Sequence, residues 1–238
     1  MSDKNLTPYF LTFGPVLLVG AFMMWPASEA IGARGTQSLV DAMDTLMPLL
    51  IAGTLGTIMV LSGVYLLISE MMENTSGMKK QLLSIAGVLI IVTLMAFVTG
   101  MGSNVTVINE ADREIDADDD AFAYASEEDR TDTLNNAFDA GNTVWQMSPV
   151  TWGLSLVLIG LVSFMMKRPE SAMEYVLPAL MPLGTVFLSL PIINDPGLFN
   201  IVFPITLLVH IIIGGLMLSG NLSIPGTTEE GTEHGLEN

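Results

Sequence analysis

The sequence predicts an all-α integral membrane protein, a bundle of six transmembrane helices with one acidic extramembranous loop. Three observations carry that expectation. The mean hydropathy is +0.56, although 25 acidic residues against 8 Lys and Arg leave a net charge of −17. Such values coexist when the charges lie outside long apolar runs. Six charge-free runs are present, at 8–25, 46–69, 82–101, 144–166, 175–194 and 199–220. Each has roughly the 20 residues a helix needs to cross a hydrocarbon core about 30 Å thick. None alternates with a period of two, which excludes an outer-membrane barrel. The apolar content excludes a disordered acidic chain, and the absence of cysteine excludes a disulfide scaffold.

The first run precedes Ala27-Ser28-Glu29-Ala30, whose small residues resemble a signal-cleavage site. Its leading segment carries only Lys4 beside Asp3 and the run is long, so it reads as a retained span. The second run contains Pro48, Ala52-x-x-x-Gly56, and Gly63 a heptad after Gly56. Small residues at that spacing let helix backbones approach closely. The third run is uninterrupted.

The connection 102–143 holds twelve acids against Arg113 and Arg130. Within it, Val105 and Val107 alternate briefly, as in a short strand. Ser126-Glu127-Glu128-Asp129 reads as a capping box, followed by the stripe Leu134, Ala137, Phe138 and a C-capping Gly141. A short amphipathic helix over 127–140 is expected, lying on the membrane or the bundle. The fifth run is interrupted by Pro178, Pro182 and Pro191, and the sixth by Pro204. Asn194-Asp195-Pro196-Gly197 reads as the tight turn between them. Gly215-x-x-x-Ser219 in the sixth run is a second close-packing signal, and 223–238 is expected to be a disordered tail.

If the runs alternate, Lys4, Lys79, Lys80, Lys167 and Arg168 share one side, and Arg34, Arg113 and Arg130 the other. The positive-inside rule then puts both termini in the cytoplasm or virion interior. An acidic outer surface repels nucleic acid, which excludes that partner class. Carboxylate-rich, lysine-poor surfaces suit molar salt, where screening removes self-repulsion. A halophilic archaeon or one of its viruses is the expected source.

Candidate chemistry is sparse. Asp116, Asp118, Asp120 and Glu127 match positions 1, 3, 5 and 12 of a calcium loop, although Ala121 replaces the turn glycine. The competing reading is a solvated acid run. Seventeen methionines raise the question of copper, but their scatter over most runs suits gap-filling between helices. His210 is the ionisable group well inside a run, and Asn194 is an amide at a run's end. Intramembrane ionisable residues mark ion paths or satisfy one packing hydrogen bond.

Gly153-Leu154-Ser155 in the fourth run and His210 in the sixth are similar in placement to the nucleophile and base of rhomboid intramembrane proteases. That resemblance implies a Ser155/His210 dyad. It covers about eight positions. It departs at Leu156, where the family carries glycine, and in the glycine spacing after His210.

The reading that follows is a non-enzymatic structural or accessory protein of a halophilic membrane. It would have no cofactor beyond a calcium ion at the acidic loop. Lipid and further copies of the chain, or other membrane proteins, are its partners, with Ala52, Gly56, Gly63, Gly215 and Ser219 at the packing seams. The alternative is a small transporter or channel using proline-broken fifth and sixth helices with His210 and Asn194. The rhomboid-like protease is third.

Overall fold

Hydropathy locates the apolar part of a helix and not its ends, because backbone hydrogen bonding continues into polar sequence. The computed structural model describes residues 5–24, 36, 40, 43–111, 113, 123–193 and 195–224. Those residues form seven α-helices: α1 Thr7–Met23, α2 Met43–Glu73, α3 Gly77–Ala111, α4 Glu127–Trp145, α5 Ser148–Met166, α6 Leu180–Ile193 and α7 Pro196–Leu218. A 3-10 turn, Glu174–Val176, precedes α6. Five helical stretches are long and apolar enough to cross a membrane: Asp44–Glu73, Gly77–Ala111, Glu127–Met166, Glu174–Ile193 and Gly197–Leu218. The apolar α1 is shorter, at 17 residues.

Much of the segment read as a loop is helix. α3 continues through 102–111, so Val105 and Val107 are helical and not a strand. Met101, Val105 and Ile108 follow the helical spacing that two alternating valines masked. Ser126 caps α4 as its sequence suggests, its side chain accepting from the Asp129 N–H at 3.2 Å. The helix then runs past 140 to Trp145. Gly141 therefore caps nothing. It lies where a Cβ would collide with Ser103 of α3, so its lack of a side chain serves close approach instead of a positive φ. The stripe Leu134, Ala137 and Phe138 packs with Leu46, Leu50, Met101 and Ile108, which fastens α4 to the ends of α2 and α3. Arg130 adds a clamp, its guanidinium donating to the Ala111 and Arg113 carbonyls at 3.3 and 3.4 Å.

The prolines break less than their number suggests. Pro15, Pro48, Pro191 and Pro204 all lie inside continuous helices. Pro182 falls in the first turn of α6, where its missing N–H costs no intrahelical bond. Among the described prolines, the departure from helix is at the approach to α6, around Pro178. Asp195 caps α7, its Oδ1 accepting from the Gly197 and Leu198 N–H groups at 2.8 and 3.4 Å, with Pro196 in the first turn. At the far end Gly220 (φ +72°) closes α7 in a Schellman motif, with the Asn221 N–H on the Leu216 carbonyl at 2.9 Å.

The helices form a ring. α1 packs on α2, α2 on α3, α3 on α5 and α4, α5 on α6, α6 on α7, and α7 returns to α1. One continuous core lies along its axis, while Phe13, Leu55, Val88, Met95, Ile201 and Leu208 face outward and exposed. Both the inside and the outside of such a ring are apolar, so the hydrophobic effect cannot distinguish them; close packing and a few hydrogen bonds must.

Glycines supply the close packing. A Cβ on Gly56 would lie 2.9 Å from the Leu18 nitrogen of α1, and one on Gly63 would lie 3.0 Å from that of Leu11. Between α5 and α6 the approach is tighter. A Cβ on Gly153 would stand 2.6 Å from the Leu188 nitrogen, and one on Gly184 would stand 2.5 Å from the Gly153 oxygen. Gly160 meets the Met181 backbone in the same seam. The hydrogen bonds include Ser155 Oγ to the Ala86 carbonyl (3.0 Å) and Thr93 to Thr151 (2.7 Å), both joining α3 to α5. Lys79 Nζ donates to the Met165 carbonyl at 2.7 Å, which ties the start of α3 to the end of α5.

Candidate functional site

The centre of the ring is aromatic. Trp152 on α5 is fully buried, with ring centroids 5.9 Å from Phe97 of α3, 5.4 Å from Phe187 of α6, and 6.1 and 5.8 Å from Phe203 and His210 of α7. Most of these contacts are edge-to-face, the arrangement that sets a positive ring edge on a negative face. Phe203 also stacks on Phe199, at 5.2 Å, so the aromatic column continues toward the α7 N-terminus.

His210 is buried in this column. Its Nδ1 lies 2.6 Å from the Thr206 carbonyl oxygen one turn earlier. A carbonyl only accepts, so Nδ1 carries the proton and Nε2 presents a lone pair. That Nε2, the Trp152 Nε1 and the Ser148 Oγ are buried without a hydrogen-bond partner among the described residues. An unsatisfied buried polar group costs about 1–3 kcal/mol. Two of them, on Trp152 and His210, lie in the same aromatic contact at a centroid distance of 5.8 Å, so among the described residues polarity here is not explained by packing. The indole N–H is a donor and the His210 Nε2 an acceptor, so the two are chemically complementary.

The predicted site residues are distributed as follows. Ser155 and His210 are not joined by a hydrogen bond; the serine hydroxyl is committed to Ala86 and the imidazole to Thr206. The arrangement a rhomboid-like dyad requires is therefore not formed. Glu127 presents both carboxylate oxygens to Arg130 Nη2 at 2.8 Å, so a cation there would have to displace the guanidinium. Asp116, Asp118, Asp120 and Asn194 lie outside the described residues, as do the segment 27–30 and the tail from 225 onward. Among the described residues no three His, Cys, Asp or Glu side chains converge as a metal site.

Gly56 and Gly63 lie against α1, and Ala52 is half-buried nearby on α2. Gly215 differs. Among the described residues nothing lies within 4 Å of where its Cβ would stand, and Ser219 is exposed; the neighbouring Gly214 makes the contact with α1, against Thr12 and the Pro8 carbonyl. The sequence reading missed Trp152 and its aromatic partners, which carry no periodic signal of their own. It also gave Gly153 and Gly160 no packing role, although they repeat the heptad spacing of Gly56 and Gly63. Compared with known proteins, the chain matches no family model, no curated protein and no solved structure.

Proposed function

We propose that the protein is a multi-pass structural or accessory component of a membrane in a halophilic archaeon or one of its viruses. It acts by packing against further copies of itself or a membrane partner, without enzymatic chemistry or a cofactor. The observation that carries the reading is the filled axis of the ring, occupied by Trp152, Phe187, Phe97 and Phe203. A ring filled by interlocking aromatic side chains is built for rigidity. The acids of α4, Glu127, Glu128, Asp129, Asp132 and Asp139, support the high-salt setting. The Lys and Arg distribution supports an interior location for both termini.

Gly215 and Ser219 are the seam this chain leaves open to another helix. The test is native mass in mild detergent at molar salt. A defined oligomer or a stoichiometric partner is expected, and Gly215→Leu should dissociate it while the thermal midpoint stays unchanged. A lone monomer recovered from the native membrane would overturn the reading.

One observation favours a second reading, a small transporter or channel: the unsatisfied His210 Nε2 beside the unsatisfied Trp152 Nε1. Proteoliposomes carrying a pH-sensitive dye would report it. A pH-dependent flux abolished by His210→Ala supports this reading, and a flux indifferent to that substitution ends it.

A further inference from the structure

Four helix ends converge at the α4 end of the bundle and leave a pocket of about 210 Å³. Trp145 ends α4, Gln146 lies in the turn to α5, Pro149 opens α5, Pro191 closes α6, and Asp195 and Phe199 begin α7. The walls are held from behind. Trp145 packs on Phe97 at 4.7 Å, and Phe199 packs on Phe203 and Phe187 at 5.2 and 6.5 Å. Asp195 uses Oδ1 to cap α7 and has no ion-pair partner among the described residues. The cap fixes the carboxylate in position, offset only in part by the helix N-terminus, in a pocket it shares with two aromatic rings and two prolines.

We propose that this pocket binds a small quaternary ammonium cation. The lining disfavours the other charged ligands, and the neutral isostere in the test below stands for an uncharged one. An anion would meet the Asp195 carboxylate. A hard divalent ion wants about six oxygens, and among the described lining residues the side chains offer one carboxylate and one amide. A primary ammonium needs three acceptors, whereas a methylated ammonium needs none and presents methyl groups to the rings and prolines. Cation–π attraction to Trp145 and Phe199 and the Asp195 charge then act on the same cation. The site is independent of the packing function proposed above.

Its ligand has two sources, a dissolved solute or a lipid headgroup, which share this chemistry. The test uses the full chain in nanodiscs of phosphatidylglycerol, titrated calorimetrically with choline and with 3,3-dimethylbutan-1-ol, its neutral isostere. Choline should bind saturably, and more tightly than the isostere by about tenfold or more. Asp195→Asn keeps the helix cap through its amide oxygen and removes only the charge, so it should lower choline affinity about tenfold while preserving the thermal midpoint. Phe199→Leu, which keeps the bulk and removes the π face, should weaken choline and spare the isostere. Repeating the titration in phosphatidylcholine nanodiscs assigns the source: suppressed choline binding identifies the headgroup, and unchanged binding a solute. Equal affinity for the isostere, undiminished binding to folded Asp195→Asn, or no saturable choline binding in phosphatidylglycerol would each overturn the proposal.

Discussion

Replacing Gly184 by leucine will separate α5 from α6 and lower the unfolding free energy by about 3 kcal/mol, the upper end of the usual cost of overpacking. The size follows from what the new side chain meets. A Cβ at Gly184 would stand 2.5 Å from the Gly153 carbonyl oxygen, 2.7 Å from the Val157 nitrogen and 2.8 Å from the Leu156 Cβ. Two of those atoms are backbone and cannot rotate aside, so the helices themselves must move. In a bilayer the loss is not offset by any hydrophobic gain, because lipid is as apolar as the seam. Gly20→Leu is the control: among the described residues nothing lies within 4 Å of that position, and replacing glycine in a helix gains up to about 1 kcal/mol in propensity. Reversible unfolding in mixed micelles measures both. A Gly184→Leu midpoint equal to that of Gly20→Leu would refute the close α5–α6 seam.

That seam also marks where the sequence was legible and where it was not. Long apolar runs announce helices because each must satisfy its own backbone, and all five long apolar stretches were visible in composition alone. The α4 cap was visible because Ser126 and its acidic first turn are local chemistry. The extent of α3 through 102–111 was not, because its last turns leave the apolar run while the helix persists. Among the close-packing glycines, Gly56 and Gly63 stood out by spacing, but spacing cannot say which of two adjacent glycines faces inward. Gly214 and Gly215 differ by one residue, about 100° of helix rotation, and only the first meets α1. The aromatic centre was illegible for a different reason. Phe97, Trp152, Phe187 and Phe203 come from four helices, and only the closure of the ring brings them together. Asp195 and Trp145 share one pocket for the same reason.

Trp152→Ala should be the most damaging change within that centre, at about 3–5 kcal/mol. Trp152 is the largest fully buried side chain among the described residues, and its ring meets those of Phe97, Phe187, Phe203 and His210 from three other helices. Each aromatic pair contributes about 0.5–1.5 kcal/mol beyond packing alone, and alanine removes all of them while leaving a cavity that four helices must close over. Trp152→Phe separates packing from polarity. It retains most of the ring contacts and deletes Nε1, one of the three unsatisfied polar atoms, so its cost should be about 1 kcal/mol or less. A column maintained only for rigidity predicts that ordering: alanine severe, phenylalanine mild, and assembly intact in the phenylalanine variant. If Trp152→Phe instead kept its stability and lost a pH-dependent flux, the indole N–H would be acting with the His210 Nε2 and not merely filling space. The weight would then pass from the structural reading to transport. A Trp152→Ala protein within about 1 kcal/mol of the parent would remove the rigid centre on which the structural reading rests.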